Sequence, residues 1–338
     1  MTGAPTGTGE KGVGTGRVLV AEGVDAGLVW HVGSPLREQR DLVEGRAMVR
    51  LANRGVLSVS GPDRLTWLHS LTSQHLEHLA PETATTALVL SPTGHIEHVL
   101  HGIDDGATFW AFTEPGRVGD LVSWLDRMRF LREVEVRDRS DEFTVVWLAT
   151  SASDAVGPLP EGTVVRTSDV PAGAGPAVEL LLPRDARGPD LPEVGVWALE
   201  ALRIAAGVPR TFVDTDERTI PNEIGLVGTH LDKGCYRGQE TVARVHTLGR
   251  PPRRLVGLHL DGSGHALPAP GTAITHEGRQ VGFLGSAALH HELGPIGLGL
   301  VKRTVPLEAI LDLDGVAAGQ EMLVDPDVGL HVRPDLRG

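Results

Sequence analysis

The chain has 338 residues and a formal net charge of −13 at pH 7. This length exceeds what one hydrophobic core usually supports, so we expect two or three domains, and the negative charge argues against sequence-independent binding to nucleic-acid phosphates. Cys235 is the single cysteine, which excludes an intramolecular disulfide and a cysteine-rich metal site. The first residues lack the apolar core of a signal peptide, and no run reaches the roughly 20 apolar residues of a membrane span, so we expect a cytoplasmic protein.

The N-terminal half combines short strands with helices. We predict a flexible Gly/Thr-rich tail over residues 1–25, followed by a strand, a turn and a helix within Gly55–Gln74, "GVLSVSGPDRLTWLHSLTSQ". Strands broken at two glycine-containing turns are predicted within Thr85–Thr113, and a helix is predicted over Val118–Leu131. These assignments rest on hydrophobic periodicity and on the Gly, Pro and Asp residues at the breaks.

The C-terminal half changes from mixed structure to strands alone. Residues 151–176 are rich in Pro, Gly, Ala and Ser and are predicted to be an irregular connection. A buried strand is predicted at Ala177–Leu182 and a helix at Val196–Gly207. Short apolar runs separated by turns then indicate a small all-β unit. The predicted fold class is therefore α+β, with a body over residues 26–250 and a β-barrel domain over residues 251–338.

The stretch "DKGCYRGQE" concentrates residue types that are rare in this chain. It holds the only cysteine, Cys235, next to the only tyrosine, Tyr236, and one of three lysines, Lys233. Gly234 and Gly238 flank them, and glycine permits a tight turn and the close approach of a ligand to the backbone. The clustering predicts a functional loop in which a cation, a thiol and an aromatic face adjoin a ligand.

The residues around Cys235 allow two interpretations. A thiolate is favoured beside cations and at a helix start, and Lys233, Arg237 and the helix predicted to begin at "QETVAR" supply both. A free cysteine is also commonly a small buried hydrophobic residue without chemical activity. The clustering of rare residues favours a reactive thiol that solvent can reach.

Glu179 interrupts the apolar run Val178–Leu182. A buried carboxylate is costly unless it is paired or ligated. One interpretation is a structural ion pair with an arginine. The other is recognition of a heterocycle that presents two adjacent N–H donors, as a pterin ring does, through charge-assisted hydrogen bonds.

The stretch "DKGCYRGQETVAR" resembles the signature of the YgfZ family. These are tetrahydrofolate-binding proteins of iron–sulfur cluster assembly or repair, and they are related to the T-protein (aminomethyltransferase) of the glycine cleavage system. The similarity extends to "VSGPDRLTWLHSLTSQ" and to the segments Leu202–Leu226 and Arg279–Arg303. It therefore covers about residues 40–330.

The resemblance implies a T-protein-like folate-binding body around a central channel, followed by the β-barrel. It implies tetrahydrofolate as the cofactor, held by Glu179, Arg203, Gly234 and Gly238. It assigns the chemistry to the signature residues Lys233, Cys235, Tyr236, Gln239 and Glu240. The partners that it implies are iron–sulfur client enzymes or cluster-assembly proteins, and we expect no direct nucleic-acid partner and no membrane.

One stretch departs from the T-protein pattern. T-proteins carry a paired aspartate after a glycine turn, whereas "TGHIEH" places Glu97 and His98 there. The second carboxylate is missing, although His98 could act as a general base near neutral pH. A folate-dependent aminomethyltransferase or demethylase is therefore the alternative function, and a folate-gated scaffold that contacts partners through Cys235 is a third. We predict no metal site in the chain, and in this stretch a strand would place His98 on the face opposite His95, Glu97 and His101.

Overall fold

In a computed structural model, the described residues are 16–150, 157–172, 175–263, 266–327 and 329–330. The helices are α1 Pro35–Val43, α2 Arg64–Leu71, α3 Val118–Arg127, α4 Val196–Ala205 and α5 Gln239–Leu248, with a 3₁₀ helix at Pro221–Ile224. Strands β1 to β18 are, in chain order, Val18–Leu19, Val29–His31, Met48–Leu51, Gly55–Ser60, Ala84–Leu90, Ile96–Asp104, Thr108–Thr113, Glu135–Asp138, Phe143–Ala149, Val164–Thr167, Ala177–Pro183, Glu193–Val194, Arg253–Leu260, Ala273–His276, Arg279–His290, Gly294–Lys302, Leu311–Leu313 and Val316–Met322. Among the described residues, no helix is long and apolar enough to cross a membrane.

Two five-stranded sheets form the body, with strand orders β5-β6-β7-β4-β8 and β10-β11-β9-β3-β12. One face of the first sheet is buried against α2 and α3, whose Trp67 and Trp124 belong to that core. The opposite face contributes Val56 and Phe112 to a second core, which also contains Trp147 of the second sheet. Each apolar side chain of this size gains about 2 kcal/mol on burial. Alternation along the strands of the first sheet therefore fills two cores and fixes its place in the middle of the body.

The C-terminal strands close into a barrel with the order β13-β16-β15-β14-β17-β18. Its interior is apolar and includes Leu258, Leu284 and Val301. A separate apolar cluster joins Leu298 of the barrel to Ile204 of α4 and to residues of the first sheet. The barrel is therefore packed against the body, on the side where the signature stretch lies.

The expected α+β body with a C-terminal β-barrel is confirmed. The strand, turn and helix predicted within Gly55–Gln74 are β4 and α2, and the strands predicted within Thr85–Thr113 are β5, β6 and β7. Periodicity was sufficient in these segments because each one contributes several regularly spaced buried residues to a core.

Two expectations about irregular segments were wrong. Residues 151–176 contain strand β10, whose edge position makes it depend on pairing with β11 rather than on its own composition. The predicted tail over residues 1–25 ends too late, because β1 pairs with β2 and Val20 is buried in a core. Residues 1–15 of that tail lie outside the described residues.

Candidate functional site

Lys233 anchors the signature loop to the end of α2. Its Nζ donates hydrogen bonds to the backbone carbonyl oxygens of His69, Thr72 and Gln74, the latter two at 2.6 and 3.0 Å. The last carbonyls of a helix lack intrahelical partners and carry partial negative charge, which a cation complements. An ammonium group has three donors, so all are engaged. Lys233 is buried, and burial lowers its pKa to about 8.

Gly238 of the loop packs directly against Gly94, which lies in the turn between β5 and β6. Gly238 has φ +79°, and a Cβ atom there would lie 2.5 Å from the carbonyl oxygen of Ser91 and 2.9 Å from Cα of Gly94. A side chain would therefore be strained and would also clash with backbone, which explains the glycine. Gly234 differs, because its Cβ would meet no described atom within 4 Å. Packing does not require glycine at that position.

The signature residues face in different directions. Cys235 is exposed, whereas Tyr236 is buried with its ring 4.9 Å from Nζ of Lys233, and burial raises the pKa of Tyr236 to about 12. The amide of Gln239 donates to the carbonyl oxygen of Lys233 at 3.4 Å, and Glu240 is exposed in the first turn of α5. The anchored loop thus exposes the thiol of Cys235 at the surface, and the side chains of Lys233 and Tyr236 are buried beneath the loop.

The neighbouring residues Glu97 and His98 lie in different environments. Glu97 forms an ion pair with Arg237 at 2.9 Å, and both side chains are about one third exposed. His98 is buried, and burial, followed by the positive charges of Arg117 and Arg237, lowers its pKa to about 4. A group with that pKa is a weak base at neutral pH. The low pKa argues against the general-base role that the sequence left open for His98.

Glu179 is buried between the two sheets in an ion pair with Arg166 of β10. Ser168 donates a second hydrogen bond to its Oε1 at 3.1 Å. Arg166 also pairs with Asp169 at 2.8 Å, and His101 lies 3.0 Å from the same carboxylate. The sequence prediction missed Arg166 because β10 was assigned to an irregular connection. An arginine within the apolar run "VVRT" was the available signal.

Arg203 connects α4 to the barrel instead of presenting a free cation. Its guanidinium makes five hydrogen bonds, and its acceptors are Glu200, Asp214, Ser286 and the carbonyl oxygen of Val208. A guanidinium has five N–H donors, so all are in use. A folate contact through Arg203 would have to break one of these bonds. The role of Arg203 in holding folate therefore stays a prediction.

We expect Lys233→Met to destabilise the protein by about 2–4 kcal/mol, because it leaves three carbonyl oxygens at the end of α2 without their charged donor. Urea denaturation at neutral pH measures this change. Lys302→Met is the matched control, since its Nζ donates one bond to Gln280 at the surface and its loss should cost less than about 0.5 kcal/mol. Equal effects of the two substitutions would refute the anchoring role.

The depressed pKa of His98 predicts a pH-dependent loss of stability. Below its ordinary pKa of 6.5, the unfolded chain takes up a proton that the folded protein takes up only near pH 4, so the unfolding free energy falls as the pH falls through that window. At about pH 4.5 the loss should reach roughly 2–3 kcal/mol relative to pH 7. Phenylalanine cannot titrate, so the unfolding free energy of His98→Phe should fall less than that of the wild type between pH 7 and about pH 4.5. The difference should be the same roughly 2–3 kcal/mol, measured by urea denaturation of both proteins at each pH. Identical pH profiles would show that His98 is freely protonated in the fold.

Comparisons with known proteins agree with this architecture. The family model of the glycine cleavage T-protein C-terminal barrel domain matches residues 253–332. The chain is 28% identical over 293 residues to a putative chloroplastic transferase of Arabidopsis thaliana, covering 77% of this chain and 66% of that protein. It is 28% identical over 287 residues to the mitochondrial iron–sulfur cluster assembly factor IBA57 of Mus musculus, covering 75% and 76%. It is 27% identical over 301 residues to an aminomethyltransferase of Rippkaea orientalis, covering 76% and 79%.

A solved structure extends the likeness to the whole fold. The glycine cleavage system aminomethyltransferase T of Bartonella henselae superimposes with a TM-score of 0.74 at 16% identity, covering 91% of this chain and 94% of that one. The body and the barrel therefore have the T-protein fold. The barrel match and the relatives add that the chain is similar in sequence to T-protein-related proteins.

Proposed function

We propose that this protein is an accessory factor in the assembly or repair of iron–sulfur clusters, and that it binds tetrahydrofolate and acts through the Cys235 thiol. The observation that carries the proposal is the exposure of Cys235 on a loop that Lys233 fixes to the end of α2. The similarity to IBA57 proteins named as iron–sulfur cluster assembly factors supports the same role.

A single exposed thiol suits an accessory role. Iron–sulfur clusters are commonly held by four cysteine thiolates, and this chain has one cysteine. Cys235 can therefore contribute at most one ligand, or one thiol for exchange, and the partner must supply the others. A rigidly held loop positions that thiol at little entropic cost when a partner docks.

The proposed folate site lies around Glu179. A carboxylate has about four lone-pair positions, and Arg166 and Ser168 occupy two of those on Glu179. The remaining positions can accept the N3–H and the 2-amino group of a pterin. Each such hydrogen bond from a pterin N–H group to the carboxylate would be charge-assisted.

A folate-dependent aminomethyltransferase is the second candidate. The similarity to an aminomethyltransferase over 76% of this chain favours it. The environments of Glu97 and His98 argue against it, because the first is paired with Arg237 and the second is a weak base. Multiple turnovers with a methylated amine and tetrahydrofolate would select the transferase over the accessory factor.

We expect Cys235→Ser to abolish function in cells while leaving the fold intact. The side chain is exposed, so the substitution should change the unfolding free energy by less than about 0.5 kcal/mol. Hydroxyl oxygen neither binds iron nor exchanges with disulfides as a thiolate does. The activity of an iron–sulfur enzyme in cells that lack the wild-type protein should therefore stay at the level found without any copy.

The matched control for this experiment moves the thiol. Cys235→Ser combined with Ser263→Cys keeps one exposed cysteine but places it in the barrel, where Ser263 is exposed. This double variant should also fail to support the iron–sulfur enzyme. Full activity with Cys235→Ser alone would overturn the proposed role of the thiol, and restoration of activity by the relocated cysteine would show that the position of the thiol is unimportant.

We expect Glu179→Gln to weaken tetrahydrofolate binding by about 10- to 100-fold, because one pterin N–H would lose a charged acceptor worth roughly 1.5–3 kcal/mol. Isothermal titration calorimetry measures the affinity, and a thermal melt establishes that the variant is folded. Glu161→Gln, which removes an exposed carboxylate, is the control for net charge and should bind normally. Unchanged affinity in folded Glu179→Gln would remove Glu179 from the folate site.

A further inference from the structure

Four histidine rings gather where α2 ends and the chain turns toward β5. The ring centroids of His69 and His75 are 4.8 Å apart, those of His75 and His78 are 6.0 Å apart, and those of His75 and His230 are 5.4 Å apart. Glu77 lies within the same turn. Folding thus brings together residues from two distant segments, since His230 belongs to the chain just before the signature loop.

We propose that His69, His75 and Glu77 bind a divalent first-row transition-metal ion. One ligand atom from each residue lies within 4.8 Å of the other two. Ligand atoms around tetrahedral zinc are about 3.3 Å apart, as metal–nitrogen bonds near 2.0–2.1 Å require. The ligand atoms would have to approach one another by roughly an ångström to bind zinc in this way. His75 is partly exposed and Glu77 is exposed, so solvent rather than packed core surrounds much of these two side chains.

The orientation of His69 supports coordination through Nδ1. That atom accepts the backbone N–H groups of Leu76 and Glu77 at 3.3 and 3.4 Å, which are long for hydrogen bonds. Its lone pair therefore points at the segment that carries the other two ligands. A metal ion at Nδ1 would have to replace these two weak bonds, and the N–H group of Leu76, a buried residue, would lose its acceptor. This competition, with only three protein ligands, makes the site a labile one.

The donor set selects the class of ion. Two imidazoles and one carboxylate suit Zn²⁺ and Fe²⁺, whereas Mg²⁺ and Ca²⁺ prefer oxygen ligands alone. Three protein ligands leave at least one position open for water or for a ligand from a partner. The charge of Lys233, which contacts the carbonyl oxygen of His69, opposes a cation, and the carboxylate of Glu77 offsets it.

This inference is independent of the proposed folate and thiol chemistry, because it rests on other residues. The two regions are nevertheless joined. Lys233 binds the carbonyl oxygens of His69 and Gln74, so the segment that carries the metal ligands is also the anchor of the Cys235 loop. A metal ion here would lie beside the loop without using its thiol.

Cobalt(II) titration of the full chain without a histidine tag tests the site. We expect one Co²⁺ per chain, seen as visible d–d absorption, that Zn²⁺ displaces and millimolar Mg²⁺ does not. His75→Gln combined with Glu77→Gln should weaken Co²⁺ binding at least about tenfold. His276→Gln, a change on barrel strand β14 far from the cluster in sequence, should bind Co²⁺ as the wild type does.

Three results of the cobalt titrations would overturn the proposal. The first is that the wild type does not bind Co²⁺ stoichiometrically. The second is that the double variant binds Co²⁺ as tightly as the wild type. The third is that His276→Gln loses as much Co²⁺ affinity as the double variant. Circular dichroism of each variant excludes unfolding as the cause of a loss. Alkylation of Cys235 before the titration should leave Co²⁺ binding unchanged, and loss of binding after alkylation would instead assign the ion to the thiol.

Discussion

The three carbonyl oxygens that converge on Lys233 are the constraint on which the site depends. They belong to the end of α2 and to the turn that follows it, and no smaller or neutral side chain could satisfy them together. Because the lysine is buried beneath the loop, its neighbour Tyr236 is also drawn inward and Cys235 is left at the surface. The contact of Gly238 with the turn at Gly94 fixes the other end of the loop.

Arginines bind the parts of the T-protein fold together in its interior. Arg166 joins the edge strand β10 to Glu179, and Arg203 joins α4 to the barrel through Ser286. Arg210 pairs with Asp25 and Glu114, which lie far from it in the chain. Buried ion pairs are weak sources of net stability, but removal of one partner is costly because the other charge is left buried. These ion pairs therefore specify how the strands, helices and barrel pack together. They also reduce the number of charged side chains that are available to bind a ligand.

The sequence predicted the elements whose apolar residues are regularly spaced and the loop that carries rare residues. β4, α2 and the strands around Thr85–Thr113 follow from periodicity, and the exposed loop at Cys235 follows from composition. It could not predict which partner each charge takes, since Arg166 and Glu179 meet only after β10 pairs with β11. The direction of Lys233 and the approach of His230 to His75 are also products of tertiary folding, because their partners are more than a hundred residues away.

The central claim is that the anchored loop presents a usable thiol at the surface of the native protein. The rate at which iodoacetamide alkylates Cys235, measured against pH in the folded and the urea-unfolded protein, tests it most directly. The account predicts that the native thiol reacts at least as fast as the unfolded one near neutral pH. Labelling that occurs only after unfolding would contradict it, and would make the cluster of lysine, cysteine and tyrosine a packing feature alone.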